Sequence, residues 1–187
     1  MTRDEILDAA AQIFSEKGFH ATSMQDIARA VNLQKASLYH HVSSKQEILL
    51  ALLDEAMDIL IADIGEVVSS TLPPQEKLHQ AIRVYLEILT SRRGLSAVLL
   101  FEHRSLDEDL CIRHIPRRDR FERLWRDLIQ EGVDSGVFQC NNPPLATRAL
   151  LGMMNWTLTW YRADGHLSAD EIANHYANML LNGLLVG

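Results

Sequence analysis

Three sets of side chains are spaced for chemistry. Glu76 and His79 form a Glu-x-x-His pair, but a carboxylate-bridged metal site on facing helices needs two such pairs plus two further glutamates, and the second pair is missing. Cys111 and His114 form one short pair with no partner cluster, and Cys140 stands alone, so neither a four-ligand zinc site nor a disulfide framework can be built. No GxSxG or GxxxxGKS run is present. An all-α enzyme is therefore a distant alternative, and neither a metal nor a cofactor is expected. The third set is Gln34, Lys35, Ser37, Tyr39 and His40, five hydrogen-bonding side chains within seven residues and with no acid among them. Such a surface suits a polyanion with readable edges.

The elements that must position these groups are helical. Apolar residues recur at helical spacing almost throughout, with only five prolines and nine glycines, which predicts an all-α chain of about nine helices. Thr2 with Glu5 is a capping-box pair opening a first helix that stops near Gly18. Thr22 or Ser23 caps a short second helix, Asn32 tolerates the left-handed backbone of a tight turn, and a third helix runs from about Gln34 to His41. Ser44 with Glu47 opens a long fourth helix to about Val67. Pro73 and Pro74 suit the start of a fifth, and a short apolar segment, Leu95 to Phe101, follows. Ser105 with Glu108 is expected to cap the next helix, and Pro116 to kink or restart it. Pro143 and Pro144 open another, and Ser168 with Glu171 caps the last.

The second and third helices test as a helix-turn-helix. Ala28, four residues before Asn32, is small enough for close helix crossing, and Leu38, six residues after it, faces the core. That leaves the five polar positions outward. The chain carries 25 acids and 18 bases for a net charge of -7, yet from Ala21 to Lys45 three bases (Arg29, Lys35, Lys45) face one acid, Asp26. This segment is +2, which leaves -9 for the remainder. The body of the molecule repels nucleic acid, so contact must fall on this local face.

Phe14, Gly18, Phe19, Thr22, Ile27 and Ala28, followed by Lys35, Ser37, Leu38, Tyr39, His41, Ser44 and Lys45, resemble the DNA-binding domain of the tetracycline-repressor (TetR) family of bacterial regulators. The resemblance covers about the first 50 residues. It implies a helix-turn-helix domain over residues 1–46, with the third helix in the major groove of double-stranded DNA and Thr22, Tyr39 and Lys45 on phosphates. A hydroxyl at a helix start, a phenol and an ammonium are suitable phosphate donors. Gln34, Lys35 and Ser37 would reach base edges, and Ser23, Ala36 and His40 complete the expected DNA-binding set. Asn32, Ala36 and Val42 stand where the family commonly has glycine, glycine and phenylalanine.

The resemblance further implies that residues 47–187 form a helical effector-binding and dimerisation domain. In this family the last two helices make a four-helix bundle across a two-fold axis. Here Gly152, Met153, Trp156 and Trp160, then Tyr176, Met179, Leu180 and Gly183, are the candidate homodimer residues, although each is equally readable as internal core. The effector pocket of such proteins lies within the body. Tyr85, Phe101, Phe121 and Trp125, with Trp156 nearby, are the candidates to line it or to form ordinary core. The run of arginines from Arg113 to Arg126 reads as a solvated helix with i, i+4 pairs, yet Arg113, Arg117 and Arg120 could also take the phosphates of a nucleotide-bearing effector. The segment from Trp156 to Ile172 is similar to the tail of members that respond to acyl-CoA thioesters. The function implied is a ligand-responsive repressor that binds a palindromic operator as a dimer and is released by a small molecule, an acyl-CoA being the candidate. An activating or ligand-independent regulator is the alternative. Acids at the N-terminus and the brevity of apolar runs such as Ile48 to Leu53 lead us to expect a cytoplasmic protein with no membrane partner.

Overall fold

A computed structural model describes residues 2–184. Among them are nine α-helices: α1 (Arg3–Lys17), α2 (Met24–Ala30), α3 (Lys35–Leu38), α4 (Lys45–Ser69), α5 (Pro74–Ser91), α6 (Arg93–Ala97), α7 (Glu108–Asp134), α8 (Pro143–Trp160) and α9 (Ala169–Leu184). The capping residues explain several of the starts. Thr2 and Glu5 cap each other's backbone N–H at α1, Ser23 and Asp26 do the same at α2, and Ser168 and Glu171 repeat the arrangement before α9. Asn142 accepts from the Leu145 N–H before α8, with Pro143 at its first position.

These capping carboxylates are held below their ordinary values by the hydroxyl and backbone donors they accept from: Ser23 for Asp26, Thr2 for Glu5 and Ser168 for Glu171. A carboxyl depressed on folding adds stability above its unfolded value, and that stability is lost as pH falls through the folded one. The starts of α1, α2 and α9 are therefore expected to be unaffected from neutrality down to about pH 4.5 and to fray below it. Amide exchange followed across that range checks this.

The chain forms two compact units, Met1–Asp58 with Arg92–Arg117, and Ile59–Ser91 with Arg118–Gly187. In the first, α1 packs against α2, α6 and the turn after α6, and α2 packs against α3. Its core holds Ile6, Ala10, Phe14, Phe19, Ile27, Leu38, Ile48, Leu52 and Val98. The expected boundary at residues 46/47 lies inside this unit, which also takes in α6 and the start of α7. In the second unit α5 packs along α9 and α8 around Leu78, Ile82, Trp125, Leu128, Met154 and Ala177.

Three local expectations change. Ser105 does not cap α7: it sits in a short 3-10 turn (His103–Ser105) with its hydroxyl 3.2 Å from Glu102 Oε2, and α7 begins at Glu108. Leu95 to Phe101 is a split element, α6 followed by a wider π-helical turn, Val98–Glu102. Pro116 lies inside α7 without ending it. Proline leaves the carbonyl of Ile112 without its helical partner, but Ile112 and Pro116 are both solvent-exposed, so water can satisfy that group.

After α7 the chain folds sharply back, and the N–H groups of Val137 and Phe138 both donate to the Gly132 carbonyl at 2.9 Å. A Cβ on Gly132 would lie 2.0 Å from the buried Phe138 ring. Gly132→Ala is therefore expected to destabilise the protein by about 1–3 kcal/mol through overpacking, measured by denaturant unfolding.

Candidate nucleic-acid interface

The tight turn after α2 is made by residues of defined type. Val31 and Asn32 close α2, Asn32 takes φ of 53°, and Leu33 N–H reaches back to the Ala28 carbonyl at 2.8 Å. Asparagine accepts this left-handed backbone at lower cost than most residues, so glycine is not required. Ala28 and Leu38 are both fully buried, one on each helix of the pair.

The third helix is shorter than expected. It spans only Lys35–Leu38, and Tyr39, His40 and His41 continue it as turns whose N–H groups bond to Lys35, Ser37 and Leu38. With Leu38 anchored inward, Gln34, Lys35, Ala36 and His40 are exposed, Tyr39 is 47% exposed and Ser37 is half-buried. Gln34 precedes the helix and makes no capping bond through its side chain, which leaves its amide available. This face carries one ammonium, one amide, one phenol, a hydroxyl and an imidazole. All can donate hydrogen bonds to phosphate or base edges.

Three other members of the expected set are committed within the chain. Thr22 is 2% exposed and donates its hydroxyl to the Gly18 carbonyl at 2.9 Å. The Ser23 hydroxyl is 2.6 Å from Asp26 Oδ2 and also accepts the Asp26 N–H. Lys45 donates to the carbonyls of Phe19 (2.8 Å) and Thr22 (2.7 Å), with its ammonium 4.3 Å from the centre of the Phe19 ring.

The structure brings three of the five aromatic candidates together. Tyr85 and Phe121 stack at 5.9 Å, and Trp125 meets both edge-on at 5.9 and 6.3 Å. Burial pushes the Tyr85 phenol up, so it remains a neutral donor, and it bonds to Asn155. Trp125 Nε1 and Thr147 Oγ1, in the same unit, are buried with no hydrogen-bond partner among the described residues. Phe101 belongs to the first unit and is 56% exposed. Trp156 lies outside the cluster, at 66% exposure, because the buried side of α8 is taken by Thr147, Leu150, Met154, Thr157 and Leu158.

Trp156 instead shares an outward face with Gly152 and Trp160, at i, i+4 spacing, and Met153 is half-buried beside them. On α9, Met179 is 58% exposed, Leu180 is half-buried, and Tyr176 is half-buried with its hydroxyl 3.1 Å from that of Thr157. For Gly183 only the helical backbone lies within the described residues.

The arginines expected on phosphates split. Arg113 meets Glu47 at 3.6 Å, and Arg117 meets Asp54 at 3.1 Å and Asp58 at 2.9 Å, so both face carboxylates on α4. Arg120 is exposed and makes no ion pair among the described residues. Glu122, also on α7, makes its described ion pair with Arg148 of α8 at 3.7 Å and not with an i, i+4 arginine of its own helix. Beside Arg117, the buried His114 puts Nδ1 2.8 Å from Asp54, so its described contact is a carboxylate and not a metal-binding partner for Cys111. Sequence reasoning missed this seam and a second one, in which Gln46 bonds to the Ser105 carbonyl, Asp107 Oδ1 and the Asp107 N–H. A usable signal was the charge on two helix faces: Glu47, Asp54 and Asp58 share one side of α4 at i, i+7 and i+11, and Arg113 and Arg117 share one side of α7. Glu76 and His79 line an open surface cleft of about 280 Å³ with Leu72, Gln80 and Arg83. Among the described residues no three His, Cys, Asp or Glu side chains gather to hold a metal, and no helix is long and apolar enough to cross a membrane.

Comparison with known proteins assigns both parts of the chain. Residues 6–52 match the family model of bacterial regulatory proteins of the tetR family, and residues 71–184 match the tetracyclin repressor-like C-terminal domain. The transcriptional repressor KstR2 of Rhodococcus jostii is 31% identical over 184 residues, covering 97% of this chain and 90% of that protein. The regulator PfmR of Thermus thermophilus has the same fold with a TM-score of 0.89 at 36% identity, covering 96% of this chain and 98% of PfmR. AibR, solved with isovaleryl coenzyme A and operator DNA, superposes with a TM-score of 0.88 at 26% identity, covering 95% of this chain and 96% of AibR. The exposed recognition face, the all-helical body and both family matches converge: this chain belongs to the TetR family of transcriptional regulators, which bind DNA and are not enzymes.

Proposed function

We propose that this protein is a cytoplasmic, ligand-responsive repressor that binds a palindromic operator as a homodimer and is released by a small-molecule effector, an acyl-CoA thioester. The acid-free face of Gln34, Lys35, Ser37, Tyr39 and His40 carries this reading, since it is exposed while Leu38 locks the segment that bears it. One such face is small, and DNA affinity on this modest charge calls for two copies on two half-sites. The apolar side chains exposed on α8 and α9 supply the surface for pairing. Trp125 and Thr147 supply buried polar atoms that a ligand could satisfy, within the unit that holds the aromatic cluster. AibR, solved with an acyl-CoA, supports the effector class, and exposed Arg120 is the remaining phosphate candidate of the original three.

The effector must bind free and operator-bound protein with different affinity, and by linkage operator must change effector affinity by the same factor. A displacement of α4 is the proposed link, because α4 starts at Lys45 beside the reader and runs to Ser69. Calorimetry with a panel of acyl-CoAs, with and without DNA, tests this. Binding of equal strength in both states contradicts the switch, and no binding at any chain length contradicts the effector class.

A further inference from the structure

We infer that His114 is a positioning residue for DNA reading: through Asp54 it clasps α4 to α7 and so holds the helix that supports the reader in one place. This role rests on the α4 displacement proposed above and names the side chains that restrain it. Only α4 and α7 among the described helices pass from the first compact unit into the second, α4 after Asp58 and α7 after Arg117. The clasp sits at the end of the stretch that each helix spends in the first unit. Asp54 Oδ1 lies 2.8 Å from His114 Nδ1, Asp54 Oδ2 lies 3.1 Å from Arg117, and the Arg117 Nε lies 2.9 Å from Asp58.

These contacts differ in strength. Arg113 with Glu47 and Arg117 with Asp58 are surface pairs, where water and salt compete and little is gained. His114 is buried, and its short, planar side chain fixes the direction of the Nδ1 bond as well as its length. A carboxylate only accepts, so Nδ1 carries the proton, and the guanidinium on the other Asp54 oxygen balances the charge. Asp54 lies about 14 Å along α4 from its start, at the helical rise per residue. With the clasp closed, this stretch of α4 moves with α7 and presents the reader in one arrangement. Without it several placements of α4 are populated, and affinity falls with the fraction that is competent for DNA.

The test uses the full-length protein without effector and a duplex selected by the wild type from a random pool. His114→Leu removes the donor and leaves Arg117 to balance Asp54. It is expected to weaken binding about tenfold, the loss that follows when about a tenth of the protein is competent. Base preference and the slope of log affinity against log salt stay at their wild-type values, because no base or phosphate contact is lost. His114→Asn puts an amide N–H in the place of Nδ1–H and is expected to bind within about threefold of the wild type. By linkage DNA tightens the clasp by the factor that the clasp tightens DNA, so solvent exchange of the wild-type His114 Nδ1–H, followed by NMR, is expected to slow about tenfold when duplex is added. That measurement decides the role even where His114→Leu does not fold. Equal losses in His114→Leu and His114→Asn overturn the role. So does a His114→Leu protein that binds normally, changes base preference or has a shallower salt slope, and so does an N–H whose exchange ignores DNA. A wild type that selects no duplex refutes the DNA-binding reading, and with it this role. Failure of the acyl-CoA calorimetry leaves the clasp standing, since no effector enters its test.

Discussion

Trp156→Asp is expected to turn the dimer into a folded monomer and to lower operator affinity by about two orders of magnitude or more. Trp156 is 66% exposed in the single chain and lies at i, i+4 spacing from Gly152 and Trp160, so it contributes little to the core of its own chain. Losing a surface residue of this kind changes stability by about 0.5 kcal/mol or less. At a two-fold interface the substitution occurs twice, and a central tryptophan is worth about 2 kcal/mol or more per copy. A buried aspartate pair adds like-charge repulsion. Without the dimer, each half-site must be bound alone, and the factor of about 10²–10⁴ gained by linking two readers is lost. Sedimentation, circular dichroism and DNA titration on one preparation check the three parts. A variant that remains dimeric removes Trp156 from the interface. One that is monomeric yet binds full operator normally contradicts the need for two readers.

The second large effect is expected from the recognition face. Lys35→Ala and Gln34→Ala should each cost about 1–3 kcal/mol per half-site and relax sequence preference, since Lys can pair with guanine and Gln with adenine. Over two half-sites this amounts to a loss of about thirtyfold or more. Tyr39→Phe removes one donor from a side chain that is 47% exposed, and should weaken binding to all sequences alike. The difference in kind matters more than the size. If all three variants weaken binding equally and without regard to sequence, the division between base readers and phosphate contacts is wrong.

Local features were the most legible in the sequence. Thr2 with Glu5, Ser23, Asn32 and Ser168 with Glu171 act within three or four residues, so their chemistry is decided by spacing alone. Leu38 and the polar positions around it were legible because helical spacing determines which side faces inward. Lys45 shows where such reasoning stops: its ammonium is directed by the carbonyls of Phe19 and Thr22, more than 20 residues earlier, and no local pattern encodes that meeting. Trp156 and Phe101 fail for a related reason. An aromatic side chain reads as core or pocket by composition, but which side of its helix is covered depends on neighbours. Ser105 had the spacing of a cap, yet the preceding π-helical turn moved the helix start to Glu108 and gave its hydroxyl to Glu102. Arg113 and Arg117, read on their own helix, lacked the carboxylates that α4 supplies across a tertiary contact.

The central claim is that a small acid-free face, duplicated by dimerisation, reads DNA. Selection of duplexes from a random pool by the purified wild-type protein, followed by sequencing, tests it most directly. The expected result is enrichment of a two-fold symmetric site whose half-sites lie on one face of the duplex, about one helical turn or a multiple apart. Recovery of no enriched sequence, or of a single asymmetric half-site bound by a monomer, would contradict it.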